Sequence, residues 1–130
     1  MTIQTWEAEF YPVEAVERST NPIEATKHSL RKWEGLREEN LKKHNVHIYI
    51  NRVCEGDAEV IGIGIGADSC ALCLYSRYVC ELCPIFKFKG GPCDTYEDSE
   101  FHQWLRKGDP EPMISLLKSV LESLLRGDIS

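Results

Sequence analysis

The spacing of apolar positions changes several times along the chain, and each change predicts an element. Residues 3–13, Ile-Gln-Thr-Trp-Glu-Ala-Glu-Phe-Tyr-Pro-Val, read as an opening strand ended by Pro12. Asn21-Pro22-Ile23-Glu24 then forms a helix start, with Asn as cap, Pro at the first helical position and Glu three residues after the cap. Ile23, the aliphatic stem of Lys27, Leu30 and Trp33 recur at helical spacing as a core face, and Gly35 stops the helix. A short helix over about 37–44 is predicted to end at Asn45, a residue that tolerates a left-handed cap. Val46 to Val53 alternates, with Val46, Ile48 and Ile50 on one face. Glu55-Gly-Asp57 is a turn, and Ala58 to Ile65 is the return strand of a hairpin. Residues 68–94 show no sustained period and read as an irregular lobe with short helical turns. A short helix near 99–106 ends at Gly108. Asp109-Pro110 opens the last helix, about 110–126, whose stripe includes Met113, Leu117, Val120, Leu121 and Leu124. The expectation is a single α+β domain over 1–130. A small antiparallel sheet is packed by helices, and a cysteine-rich lobe at about 68–94 precedes the C-terminal amphipathic helix.

Composition agrees with one globular domain: 130 residues, 42% hydrophobic and 28% charged. That excludes a disordered tail, a collagen and a coiled coil. No apolar run approaches the ~20 residues that span a bilayer, so no membrane association is expected. The first residues have no basic start and no apolar run, so they do not read as a signal peptide, and a reducing cytoplasm is the expected compartment. Net charge is −6, which opposes general nucleic-acid binding. The charge is unevenly distributed. Residues 27–52 carry seven bases against three acids, and acids dominate both ends. Lys27, Arg31 and Lys32 are therefore the candidates for binding an anion or a partner. The bland alternative is a solvated helix face.

Six cysteines change the picture further, because five of them fall within residues 70–93. The pattern is Cys70-x2-Cys73-x6-Cys80-x2-Cys83-x9-Cys93. In a reducing compartment such clusters read as metal ligands or redox groups before disulfides. A four-sulfur shell around zinc needs sulfurs within about 4 Å of one another. If residues 74–79 were helical, the two pairs would stand about 10 Å apart along the axis. A shared site therefore demands that this stretch fold back, or that the shell draw on Cys93, His44, His47 or His102. Zinc is the expected metal, with ligands among Cys70, Cys73, Cys80, Cys83 and Cys93. An iron–sulfur cluster is the lesser alternative, and reduced core thiols are the bland one. Cys54, at the end of a predicted strand, reads as a buried thiol.

Other chemistry is thin. Gly62-Ile-Gly64-Ile-Gly66-Ala67 formally admits a dinucleotide-loop reading, but no βαβ unit surrounds it, and a strand with close-packed glycines is the plainer account. The four histidines are scattered, and no catalytic residue is assigned. Neither CxxC pair reads as a thioredoxin-type motif that opens a helix after a strand. On the last helix, Leu116 and Leu125 lie off the main apolar seam. They are the candidate interface positions, for a homodimer or a partner protein.

His28-Ser-Leu-Arg-Lys-Trp-Glu-Gly-Leu36, Ser69-Cys-Ala-Leu-Cys73, Cys80-Glu-Leu-Cys83-Pro84, Gly90-Gly-Pro-Cys93 and Gly108-Asp-Pro-Glu-Pro-Met-Ile114 form a set. Together they resemble a group of small cysteine-cluster proteins of bacteriophage genomes. The likeness spans roughly residues 25–120 and is most specific in the cysteine segment. It implies a phage setting but no activity. In that setting the leading expectation is a protein-interaction module with a structural zinc-like site, acting on a host protein and conceivably inhibiting a host defence component. A metal- or thiol-dependent enzyme, iron–sulfur or redox, is second. A nucleic-acid-binding zinc module is third.

Overall fold

The computed structural model describes residues 3–49, 52–55, 63–65, 70–91 and 100–129. Helix α1 spans Ile3–Phe10, α2 Pro22–Glu34 and α3 Glu38–Lys43; a 3-10 turn at Ala15–Arg18 joins the first two. Three short strands follow: β1 His47–Tyr49, β2 Arg52–Cys54 and β3 Ile63–Gly64. The cysteine lobe holds α4 Ala71–Tyr75, a 3-10 turn at Cys80–Leu82 and α5 Pro84–Lys89. Helices α6 Glu100–Lys107 and α7 Glu111–Arg126 complete the chain. The sheet is antiparallel in the order β1-β2-β3, with Ile48 opposite Val53 and Val53 opposite Ile63. The architecture thus mixes helices with a small antiparallel sheet, and helices dominate.

The core is organised by α2 and α7. Met113, Ile114, Leu117, Val120 and Leu124 of α7 are buried, and among the described residues α7 packs chiefly on α2, then on α6 and α5. Trp33 of α2 meets Trp104 of α6 edge-on, centroids 5.4 Å apart. Asn21 caps α2 as expected, its side chain accepting from the backbone N–H groups of Ile23 and Glu24. Asn45 is left-handed, as the end of α3 required.

Two predicted strands are corrected. Residues 3–10 are helical because Ile3, Trp6 and Phe10 recur at three and four, and Trp6 and Phe10 are buried. The Trp6 indole N–H donates to the Gly35 carbonyl at 2.8 Å. Gly35 has an ordinary right-handed backbone; its lack of a side chain is needed because a Cβ there would fall 2.6 Å from the Phe10 ring. The stretch read as one strand over 46–53 is instead two, β1 and β2, paired with Tyr49 opposite Arg52. The return strand was expected over 58–65; within the described residues β3 covers Ile63–Gly64 of it.

The buried face of α2 is also corrected. Ala25, Thr26, His28, Ser29, Lys32 and Trp33 are buried, Lys27 is exposed, and Ile23 and Leu30 only flank the core. Five of the six buried residues carry polar atoms, and this polar face organises the site.

Candidate thiol site

Helix α4 packs against α2 and brings Cys70 to that polar face. Ala25 and Ser29, one turn apart, are small enough to admit it closely. Cys70 is the N-cap of α4 and Cys73 lies in its first turn, so the pair opens a helix just downstream of β3. This corrects the reading of the motif from sequence. The Cys70 sulfur lies 3.3 Å from the Ser29 hydroxyl. Lys32, 1% exposed, donates from Nζ to the Ile65 carbonyl at 3.3 Å, and its charge acts on Cys70. The Cys73 thiol, hydrogen-bonded to Cys70, does most to hold the Cys70 thiol well below its ordinary range. Lys32, Ser29 and the Cys73 backbone N–H act in the same direction, while burial opposes them.

The spacer between the two CxxC pairs folds back. Helix α4 stops at Tyr75, and both Arg77 and Tyr78 take left-handed backbone angles, φ +55° and +63°. The Tyr78 N–H bonds the Cys73 carbonyl at 2.8 Å and the Arg77 N–H bonds the Leu74 carbonyl at 3.2 Å. This is a Schellman-type helix end with arginine where glycine is usual. Non-glycine residues in that region cost on the order of 1–2 kcal/mol each. The reversal returns Cys83, half-buried, to within electrostatic reach of Cys70. Burial first, and then the Cys70 and Cys80 thiols, push the Cys83 thiol up to about 11. Cys80 is exposed and Cys54 is buried in the core; Cys54, Cys70, Cys73, Cys80 and Cys83 are all free thiols.

Among the described residues, no three His, Cys, Asp or Glu side chains gather to hold a metal ion. Cys93 and the His102 side chain lie outside the described residues. His44 is occupied elsewhere, bonded to Thr5 Oγ1 at 2.8 Å and to Glu9 at 2.6 Å. His47 is exposed on β1. His28, 7% exposed, donates from Nε2 to the Val13 carbonyl at 2.7 Å, and its buried Nδ1 has no partner among the described residues. Burial does most to lower its pKa, against the hydrogen bond to Val13.

Of the three cationic candidates, Lys27 and Arg31 share the exposed face of α2 and Lys32 the buried one. Leu125 is 62% exposed, while Leu116 is half-buried against the core. Sequence reasoning missed Ser29 and the inward role of Lys32. The available signal was the small-residue stripe Ala25–Ser29–Lys32 at spacings of four and three, which marks a face approached closely by another element. No helix among the described residues is long and apolar enough to cross a membrane. No family model, curated protein or solved structure matches the chain.

Proposed function

We propose that Cys70 and Cys73 form a thiol–disulfide exchange centre. The observation that carries this reading is the buried Lys32 ammonium set against a CxxC pair whose sulfurs are in hydrogen-bond contact. The Cys70 thiolate attacks one sulfur of a substrate disulfide and displaces the other as a thiolate. Cys73, losing its proton to that leaving thiolate, then attacks the Cys70 sulfur of the mixed disulfide. The Cys70–Cys73 disulfide forms and the substrate leaves as one thiol and one thiolate, the latter taking a proton from solvent, so the pair is oxidised by two electrons as the substrate is reduced. Ser29 and Lys32 stabilise the thiolate at the start of the sequence.

The test equilibrates the full chain with glutathione buffers of varied oxidised-to-reduced ratio, followed by peptide mass mapping. The expected result is a reversible Cys70–Cys73 disulfide whose fraction tracks the ratio, with Cys54 left reduced. A pair that never forms the disulfide overturns the reading. So does protein purified without added metal that carries about one equivalent of zinc and resists alkylation until a chelator is added.

The second reading is the metal-organised interaction module. It is supported by the chain reversal at Arg77–Tyr78, which brings the second CxxC back towards the first. The exposed apolar side chains of Tyr78, Val79 and Leu82 beside Cys80 also support it. The zinc outcome of the same experiment is the result that favours it.

A further inference from the structure

On the exposed face of α2, where Lys27 and Arg31 lie, a cavity of about 280 Å³ opens between the end of α1, the following loop and α2. Its floor is apolar: Phe10, Pro12 and Val13. Its wall is cationic: Arg18, Lys27 and Arg31, with Glu24 the one carboxylate among the lining residues. Arg31 is held in place without being neutralised. Its Nε donates to the Glu9 carbonyl at 2.8 Å, and its guanidinium lies 5.2 Å from the centre of the Phe10 ring. Its two terminal nitrogens have no partner among the described residues, and neither has the Arg18 side chain. The nearby Glu9 carboxylate is taken up by Lys43 at 3.1 Å and by His44. Lys27 reaches Glu24 only at 3.9 Å. In a chain of net charge −6, these side chains make a local surplus of two positive charges around an apolar floor.

We propose that this cavity binds a small phosphate monoester with an apolar body. The fork of Arg31 would take two phosphate oxygens, as guanidinium groups do. Arg18 and Lys27 would complete the match to a dianion, and the apolar body would lie on Phe10, Pro12 and Val13. The volume is at the small end for ligand sites, which limits the occupant to a compact ester. This site does not depend on the thiol reading: its cationic groups lie off the buried face of α2, and of its lining only His28 belongs to that face.

The test is calorimetric titration of the full chain with phenyl phosphate, inorganic phosphate and benzoate, repeated for Arg31→Gln and Arg18→Gln. Saturable binding of phenyl phosphate is expected, tighter than that of inorganic phosphate, which lacks the apolar body, and of benzoate, which carries one charge. Each variant should weaken it about tenfold or more, the worth of one charge-assisted hydrogen bond. Arg18 is exposed and makes no hydrogen bond or ion pair among the described residues, so its variant should keep the fold and separate loss of binding from unfolding. Absence of saturable binding overturns the proposal, as does binding that both variants leave unchanged or a preference for benzoate.

Discussion

Lys32 shows most plainly how a residue's role depends on which side of a helix it occupies. In the sequence it stands beside Arg31 and completes a basic run. In the fold Arg31 is exposed and Lys32 is buried, its Nζ on the Ile65 carbonyl and its charge acting on Cys70. A step of about 100° around the helix separates the two, so neighbours in a charge run can serve unrelated sites. The sequence marks Lys32 as charged but does not say that a thiol will offset it, because the partner lies thirty-eight residues away. Replacing Lys32 by Met, similar in length and uncharged, should therefore act on Cys70. The fold already holds Cys70 as thiolate below the pH at which an ordinary thiol ionises. Removing the ammonium raises that pH, so the onset of iodoacetamide alkylation at Cys70 should move upward in Lys32→Met. Cys73 and Ser29 remain in place around it and keep part of the shift. Peptide-resolved alkylation rates against pH measure this. Cys83, pushed up to about 11, should stay slow throughout the neutral range in both proteins.

Among the elements, α2, α3, α6 and α7 were legible because each carries its own boundary signal: Asn21 before α2, Asp109-Pro110 before α7, and Asn45 and Gly108 at the ends of α3 and α6. Helix α1 was not. Its eight residues begin without a cap side chain among the described residues, and Trp-x-x-x-Phe in so short a segment fits an alternating pattern nearly as well as a helical one. What decides for a helix is tertiary: the Trp6 bond to the Gly35 carbonyl and the seating of Phe10 on Gly35. The junction is accordingly intolerant. Gly35→Ala places a methyl group 2.6 Å from the Phe10 ring, and overpacking of this kind costs about 1–3 kcal/mol. Chemical denaturation should show that loss with an unchanged m-value. If Gly35 mattered only as a helix stop, alanine would instead be neutral or slightly stabilising.

Over the whole molecule, the sequence pattern conveys that helices and a small antiparallel sheet share one chain, but not which packs on which. The apolar stripe of α7 was expected to cover the sheet, and it covers α2 instead. The reason is that α2 shows few large apolar residues on the face it buries, so its share of the core is hidden from a hydropathy reading. The cysteine lobe was legible as a cluster and as irregular. Its reversal was not, since Arg77 and Tyr78 are residue types that rarely take left-handed angles, and no glycine marks the turn.

The ammonium buried beneath the thiol pair has a consequence for redox poise. Joining Cys70 to Cys73 would erase the negative charge and leave the positive one in place. The folded protein would then lose the attraction between Lys32 and the Cys70 thiolate on oxidation, and would be less stable oxidised than reduced. By linkage, a couple whose reduced form is favoured by the fold is an oxidising one. Scanning calorimetry should give the reduced chain the higher melting temperature, and Lys32→Met should remove most of the difference. On the proposed function, the exchange written above would then run more readily in reverse, the Cys70–Cys73 disulfide passing to a substrate dithiol.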